Sequence, residues 1–144
     1  MATDSRANPS PAAGVVIYAK DVDRLGAFYA AVADCTQRRR DADFIVLQAG
    51  AFELVLVAVP AQLAARIEIP VPPRRREATP IKPVFFVPDI EVARCRAAEH
   101  GGQLDPPDRE WRFDDWRVCD GCDPEGNVFQ LREAGSGHAT DSAR

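Results

Sequence analysis

The sequence predicts an α+β domain made of two similar halves, each of which reads strand, helix, strand, strand, with room for one more strand. The first observation is a repeat. The runs Gly14–Asp21 and Lys82–Asp89 have a similar pattern of apolar residues, and each ends in an aspartate placed to begin a helix. The second is the proline-rich segment 70–80, which separates the halves. The third is the length of 144 residues, which fits one domain over residues 13–134.

The first half begins with the strand Gly14–Ala19, which is rich in β-branched and aromatic residues. Asp21 is placed as a helix N-cap, and the apolar residues that follow it recur at helical spacing: Val22, Leu25, Phe28, Tyr29 and Val32. Two more strands are predicted at Asp41–Gln48 and Phe52–Val59. The pattern at Gln62–Ile69 fits either a helical turn or a strand.

The joint Pro70–Pro80 between the predicted modules, at about 13–70 and 80–134, holds four prolines around the run Arg74–Arg76. Proline at this density excludes a regular helix and a central strand. The three arginines form either a solvated linker surface or an anion-binding loop, and the sequence leaves both interpretations open.

The second half repeats the order of elements. A helix is predicted at Ile90–His100, with Gly101 and Gly102 ending it. A strand is predicted at Trp111–Cys119, followed by a hairpin turn at Asp123–Asn127 and a final strand at Val128–Leu131.

The charge balance excludes a broad class of function. With 18 Lys and Arg against 22 Asp and Glu, the net charge is −4, so a nucleic-acid partner, which requires a basic surface, is not expected. A membrane partner is not expected either, because no apolar stretch is long enough to span a bilayer. The polar start lacks the apolar core of a signal peptide, so we predict a cytoplasmic protein with reduced cysteines. Residues 1–12 and 135–144 are predicted to be disordered tails.

Cys119 and Cys122 have the spacing of a metal-binding or redox pair. One pair cannot complete a four-ligand zinc site, and Cys119–Pro124 is predicted to be a strand end and a turn rather than the helix start of a thioredoxin-like site. We therefore interpret these thiols as structural. The two histidines, His100 at a helix end and His138 in the tail, leave little for a histidine-built metal site.

The most specific motif lies at the end of the domain. Asp123–Leu131 reads Asp-Pro-Glu-Gly-Asn-Val-Phe-Gln-Leu. Together with the spacing from Asp21 to Phe28-Tyr29 and with the duplication, it resembles the vicinal oxygen chelate superfamily of glyoxalases, bleomycin-resistance proteins and extradiol dioxygenases. The resemblance covers Gly14–Glu133. It implies two βαβββ modules in tandem, forming a curled mixed sheet around one cavity, and it implies a homodimer.

The resemblance also implies four positions for metal ligands, which here hold Gly14, Glu53, Lys82 and Gln130. Only Glu53 has the kind of side chain that the family uses as a metal ligand at its position. Gly14 has no side chain, and Gln130 offers a neutral amide. The Lys82 ammonium would repel a divalent ion, since like unit charges ~4 Å apart cost roughly 4 kcal/mol at an effective dielectric constant of about 20. We therefore expect a degenerate metal site, with no divalent metal and no other cofactor.

One hypothesis is that Lys82 replaces the metal ion, paired with Glu53 and hydrogen-bonded by Gln130, because a buried charge needs a partner. Under it, Glu53→Gln destabilises the fold. Alternatively, Lys82 points outward beside Pro83, or the strand register is shifted by one residue, which turns every side chain to the other face. The sequence leaves these alternatives open.

Strand alternation and the aromatic run around Trp111 give the predicted ligand-binding residues: Glu53, Lys82, Gln130, Tyr18, Phe86, Trp111 and Arg112. The run Arg109–Arg117 forms either a wall for a flat or anionic ligand, through stacking and cation–π contacts, or an edge strand that anchors the modules. A filled core without a cavity is also compatible with the pattern.

Three functions follow from these residues. The first is a metal-free protein of the bleomycin-resistance kind that binds a small organic ligand between the modules, and the lack of a visible nucleophile or metal set favours it. The second is a lyase, isomerase or dioxygenase that uses a metal, or Lys82 or Glu53 as a base. The third is a dimeric module with a closed cavity. The fold alone does not name the ligand.

Overall fold

The computed structural model describes residues 9–135. Of the predicted tails, residues 1–8 and 136–144 lie outside the described residues. Pro9 and Ala12 are held against the first sheet, because the Pro9 carbonyl accepts a hydrogen bond from Gln48 Nε2 at 2.6 Å and Ala12 N donates to the Ala51 carbonyl at 2.7 Å. Within the described part, no helix is long and apolar enough to cross a membrane.

The first module has the order βαβββ. Its elements are β1 (Ala13–Ala19), α1 (Val22–Val32), β2 (Thr36–Arg40), β3 (Phe44–Ala49) and β4 (Phe52–Ala58). The strands lie in the order β1-β4-β3-β2, with β1 parallel to β4 and the other pairs antiparallel. The additional strand is β2, an exposed edge strand. A short helix, α2 (Ala61–Ala64), follows, so the ambiguous segment forms a helical turn rather than a strand.

The second module repeats this order with one additional short strand. Its elements are β5 (Val84–Phe86), α3 (Ile90–Glu99), β6 (Gln103–Leu104), β7 (Trp111–Phe113), β8 (Trp116–Cys122) and β9 (Val128–Ala134). The sheet runs β5-β9-β8-β6, with β7 paired to β8. The prediction of a single strand at Trp111–Cys119 is therefore wrong. This segment belongs to the β7–β8 hairpin, whose turn contains Asp114 with a positive φ of 51°.

Both long helices begin at the predicted caps. The Asp21 side chain accepts a hydrogen bond from Arg24 N, and the Asp89 side chain accepts from Glu91 N and Val92 N. Gly101, with φ +84°, ends α3 as predicted. These local signals determine where each helix begins and where α3 ends.

The two modules share one hydrophobic core. Residues of α1, β5 and β9 form an aromatic cluster there, in which Phe28, Tyr29, Phe85 and Phe129 pack with ring centroids 5.2–6.5 Å apart. Phe52 of β4 extends the cluster by packing on Phe85. The opposite face of each sheet is therefore left for a site.

Candidate functional site

Gly14 and Glu53, two of the four positions that the resemblance implies, lie opposite each other on the parallel strands β1 and β4. A Cβ atom built on Gly14 would lie 2.6 Å from the Glu53 carbonyl oxygen, so no side chain fits there without a backbone shift. Glu53 is half-buried. The first module therefore supplies one carboxylate at this place and no second ligand.

Lys82 and Gln130 belong to a polar chain on the second sheet. Lys82 Nζ lies 2.5 Å from Asp120 Oδ2, and Gln130 Nε2 donates to Asp120 Oδ1 at 3.1 Å. Arg132 Nε then donates to Gln130 Oε1 at 3.0 Å. The hypothesis that pairs Lys82 with Glu53 is therefore wrong, because the carboxylate that holds Lys82 is Asp120.

Asp120 was missed by the sequence analysis, although its position follows from the β8–β9 hairpin. Its register partner in β9 is Gln130. Side chains of directly opposed residues share one face, so the hairpin register alone places this carboxylate beside the amide.

These residues do not fit a divalent metal ion. The Gln130 amide oxygen already accepts from Arg132, and the Asp120 carboxylate already holds Lys82 and Gln130. Among residues 9–135, no three His, Cys, Asp or Glu side chains cluster as metal ligands. A metal at this place would have to compete with two cationic side chains for its oxygen ligands.

The pairing of Lys82 is testable by a double-mutant cycle. Lys82→Met and Asp120→Asn should couple by about 0.5–1 kcal/mol in the free energy of unfolding, as expected for a partly exposed ion pair. Lys82→Met and Glu53→Gln should be additive within the error of urea denaturation. Coupling of Lys82 to Glu53 instead of Asp120 would contradict this pairing.

The aromatic residues predicted to bind a ligand lie exposed on both modules. The exposed fractions are 69% for Tyr18, 55% for Phe86 and 41% for Trp111. The guanidinium carbon of Arg132 lies 4.9 Å from the ring centroid of Phe113 and 6.0 Å from that of Phe86. The second sheet thus presents a cation stacked on aromatic rings, next to the polar chain.

Arg112 lies on the face of β7 opposite to the one that carries Trp111 and Phe113. It is opposite Arg117 in register, and Arg117 forms ion pairs with Glu91 of α3 and with Glu110. Trp111, by contrast, lies directly opposite Val118 of β8, and Val118 lies directly opposite Arg132 of β9. Trp111 is therefore on the same face of the sheet as Arg132. Neighbouring residues of a strand point to opposite faces, so Arg112 does not lie beside Trp111 and Phe113 in the alternative in which the run forms a wall for a ligand.

A cavity of about 390 Å³ lies where the two modules and the joint meet. We call it the inter-module cavity; its lining includes Val16, Tyr18, Arg76, Thr79, Ile81 and Val128. Its volume is at the small end of the range for small-molecule pockets. Of the predicted ligand-binding residues only Tyr18 lines it, and Phe86 borders a separate cavity of about 400 Å³ with Phe52 and Val84. The sequence analysis did not place Arg76 and Thr79 of the joint, or Ile81 directly after it, at a cavity, although it left an anion-binding role open for the run Arg74–Arg76.

The Asp123–Asn127 turn is a structural element beside this cavity. The fully buried Asp123 carboxylate accepts hydrogen bonds from Tyr29 Oη at 2.7 Å and from Asn127 Nδ2 at 2.8 Å. Burial raises the pKa of Asp123 above its ordinary value, against the opposing effect of these hydrogen bonds. Burial also raises the pKa of Cys119 to about 11, which disfavours the reactive thiolate and supports the structural interpretation of this thiol.

Two βαβββ modules in one chain define the vicinal oxygen chelate class of proteins. A family model described as a glyoxalase-like domain matches residues 14–132. This is most of the chain, which therefore belongs to the glyoxalase-like domain family. No curated protein matches the sequence.

Solved structures share the fold at low sequence identity. A glyoxalase/bleomycin resistance protein/dioxygenase family enzyme from Burkholderia phytofirmans PsJN is 23% identical, with a TM-score of 0.61 over 84% of this chain and 96% of that one. The bleomycin resistance determinant encoded on transposon Tn5 is 17% identical, with a TM-score of 0.54 over 84% and 95%. Fosfomycin resistance protein FosX from Mesorhizobium loti is 12% identical, with a TM-score of 0.56 over 89% and 93%. At such identities the likeness shows the fold alone.

Proposed function

We propose that this protein binds a small organic molecule in the inter-module cavity without a metal ion. The observation that carries the proposal is the cavity itself, with walls from β1, from the joint and from the start of β9. Most of its lining is apolar, and a few polar groups converge on it, which is the usual composition of a small-molecule site.

The internal pairing of the polar chain supports binding over metal-dependent chemistry. Lys82 and Gln130, which hold two of the four metal positions that the resemblance implies, are both engaged by Asp120, and this supports a binding role without a metal. A lyase, isomerase or dioxygenase is the competing function. If it used Lys82 as a base, that side chain would have to leave its ion pair with Asp120, so we prefer a binding role.

The test combines elemental analysis with thermal denaturation. We expect the purified protein to hold no stoichiometric metal and its melting temperature to be unchanged by EDTA. A panel of aromatic carboxylates, amides and amines should contain compounds that raise the melting temperature, since a ligand at 100 times its Kd adds roughly 2.7 kcal/mol to the free energy of unfolding. Bound metal whose removal lowers the melting temperature would support the enzyme instead. A panel without any effect would favour a module with a closed cavity.

Homodimer formation and a cytoplasmic location are part of this proposal. The first rests on the family resemblance, and the second stays a prediction. Exposed apolar side chains on the sheet faces, such as Val16 and Phe113, are compatible with a second copy covering them.

A further inference from the structure

The three consecutive arginines of the joint have different surroundings. Arg75 Nη1 forms an ion pair with Asp105 Oδ1 at 2.7 Å, and their side chains are only 21% and 16% exposed. Arg75 therefore ties the joint to the second module. It is the structural member of the run, and its charge is not available to a ligand.

The backbone on either side of Arg75 is fastened to the Asp123–Asn127 turn. Arg76 N donates to the Gly126 carbonyl at 2.9 Å. The Arg74 carbonyl lies so close to Gly126 that a Cβ atom there would be 2.0 Å from its oxygen. These contacts determine where the side chain of Arg76 begins, beside Asn127 and Val128.

Arg76 is the charged residue in the lining of the inter-module cavity, and the other lining residues are uncharged. Its guanidinium makes no ion pair or hydrogen bond with another residue in the range 9–135. Arg76 also borders a neighbouring hollow of about 350 Å³ that contains Glu68 and Glu125. The Glu125 carboxylate is already used there, since it accepts from Lys20 N and Asp21 N at 2.8 and 2.9 Å.

Thr79 adds a second polar group to the same wall. Its Oγ1 accepts a hydrogen bond from Ile81 N at 3.5 Å, so its hydroxyl proton remains available to donate. A cation and a hydroxyl donor on a largely apolar wall favour an anion attached to an apolar body. One guanidinium balances a single negative charge, and its planar fork matches the two oxygens of a carboxylate.

We propose that the inter-module cavity selects an apolar molecule that carries one carboxylate, with Arg76 as the residue that binds the carboxylate. This inference rests on the proposed binding function and gives it a ligand class. It also assigns the anion-binding role to one arginine of the run, with Arg75 acting as an anchor.

The test uses three probes of one shape: naphthalene carboxylate, its primary amide and the corresponding naphthylmethylammonium. Calorimetric titration of the full chain should show the carboxylate binding at least tenfold more tightly than the other two. Arg76→Gln should weaken carboxylate binding by about tenfold to a hundredfold, as expected for a hydrogen-bonded charge pair. Arg76→Lys should retain part of the affinity.

Arg74→Gln is the matched control, because it removes the same charge from a neighbouring residue that does not line the cavity. It should change the affinity by less than twofold. Equal losses in Arg74→Gln and Arg76→Gln would reduce the effect to general electrostatics and overturn the proposal. Binding of the amide or the ammonium but not the carboxylate would overturn this inference and leave the binding function standing. If none of the three probes binds, this inference fails, and the binding function fails with it only if the thermal-denaturation panel also shows no effect.

Discussion

Asp123→Ala should lower the free energy of unfolding by about 3–5 kcal/mol, a large part of the stability of a single domain. The substitution leaves four donors without their acceptor: Tyr29 Oη, Asn127 Nδ2, Glu125 N and Asn127 N. An unsatisfied buried donor costs roughly 1–3 kcal/mol. The net loss is smaller than the sum, because the substitution also removes the desolvation penalty of a buried carboxylate.

Urea denaturation followed by tryptophan fluorescence measures this loss. Asp123→Asn keeps one carbonyl acceptor and should fall between the wild type and Asp123→Ala. Tyr29→Phe removes one of the donors and should cost about 1–2 kcal/mol. Asp108→Ala, at an exposed position, is the control and should stay within about 0.5 kcal/mol. A small effect of Asp123→Ala would show that the turn does not depend on this carboxylate.

The helices were predictable because their signals are local. Asp21 and Asp89 supply a side-chain acceptor within a few residues of the helix start, and no distant contact is needed to recognise them. The sequence left room for one more strand but did not locate β2, since Thr36–Arg40 is polar and exposed along its whole length. It is a strand because it pairs with β3 across a short turn, and an exposed edge strand leaves no hydrophobic pattern in the sequence.

The site was less predictable than the fold because its contacts cross between elements. The partner of Lys82 depends on which carboxylate the neighbouring strands bring close, and it is Asp120, 38 positions away. The position of Arg76 depends on the path of an irregular joint. Proline and arginine there give no periodicity, so the sequence did not decide between a solvated linker and an anion-binding loop.

Gly126→Ala should lower the free energy of unfolding by about 2–4 kcal/mol and also weaken ligand binding. Gly126 has a φ of +86°, a conformation that costs a residue with a Cβ roughly 1–2 kcal/mol. The new methyl group would also lie 2.0 Å from the Arg74 carbonyl oxygen. A backbone oxygen cannot rotate away, so the joint has to shift, which adds about 1–3 kcal/mol.

Gly50→Ala separates the two contributions. Gly50 also has a positive φ, of +57°, but a Cβ there meets no atom within 4 Å. This control should therefore show the conformational cost alone, and the excess loss in Gly126→Ala measures the contact with the joint. Since that contact holds the backbone of Arg76, Gly126→Ala should weaken binding of naphthalene carboxylate while Gly50→Ala leaves it unchanged. Equal stability losses in the two variants, with unchanged binding, would contradict the coupling between this turn and the cavity wall.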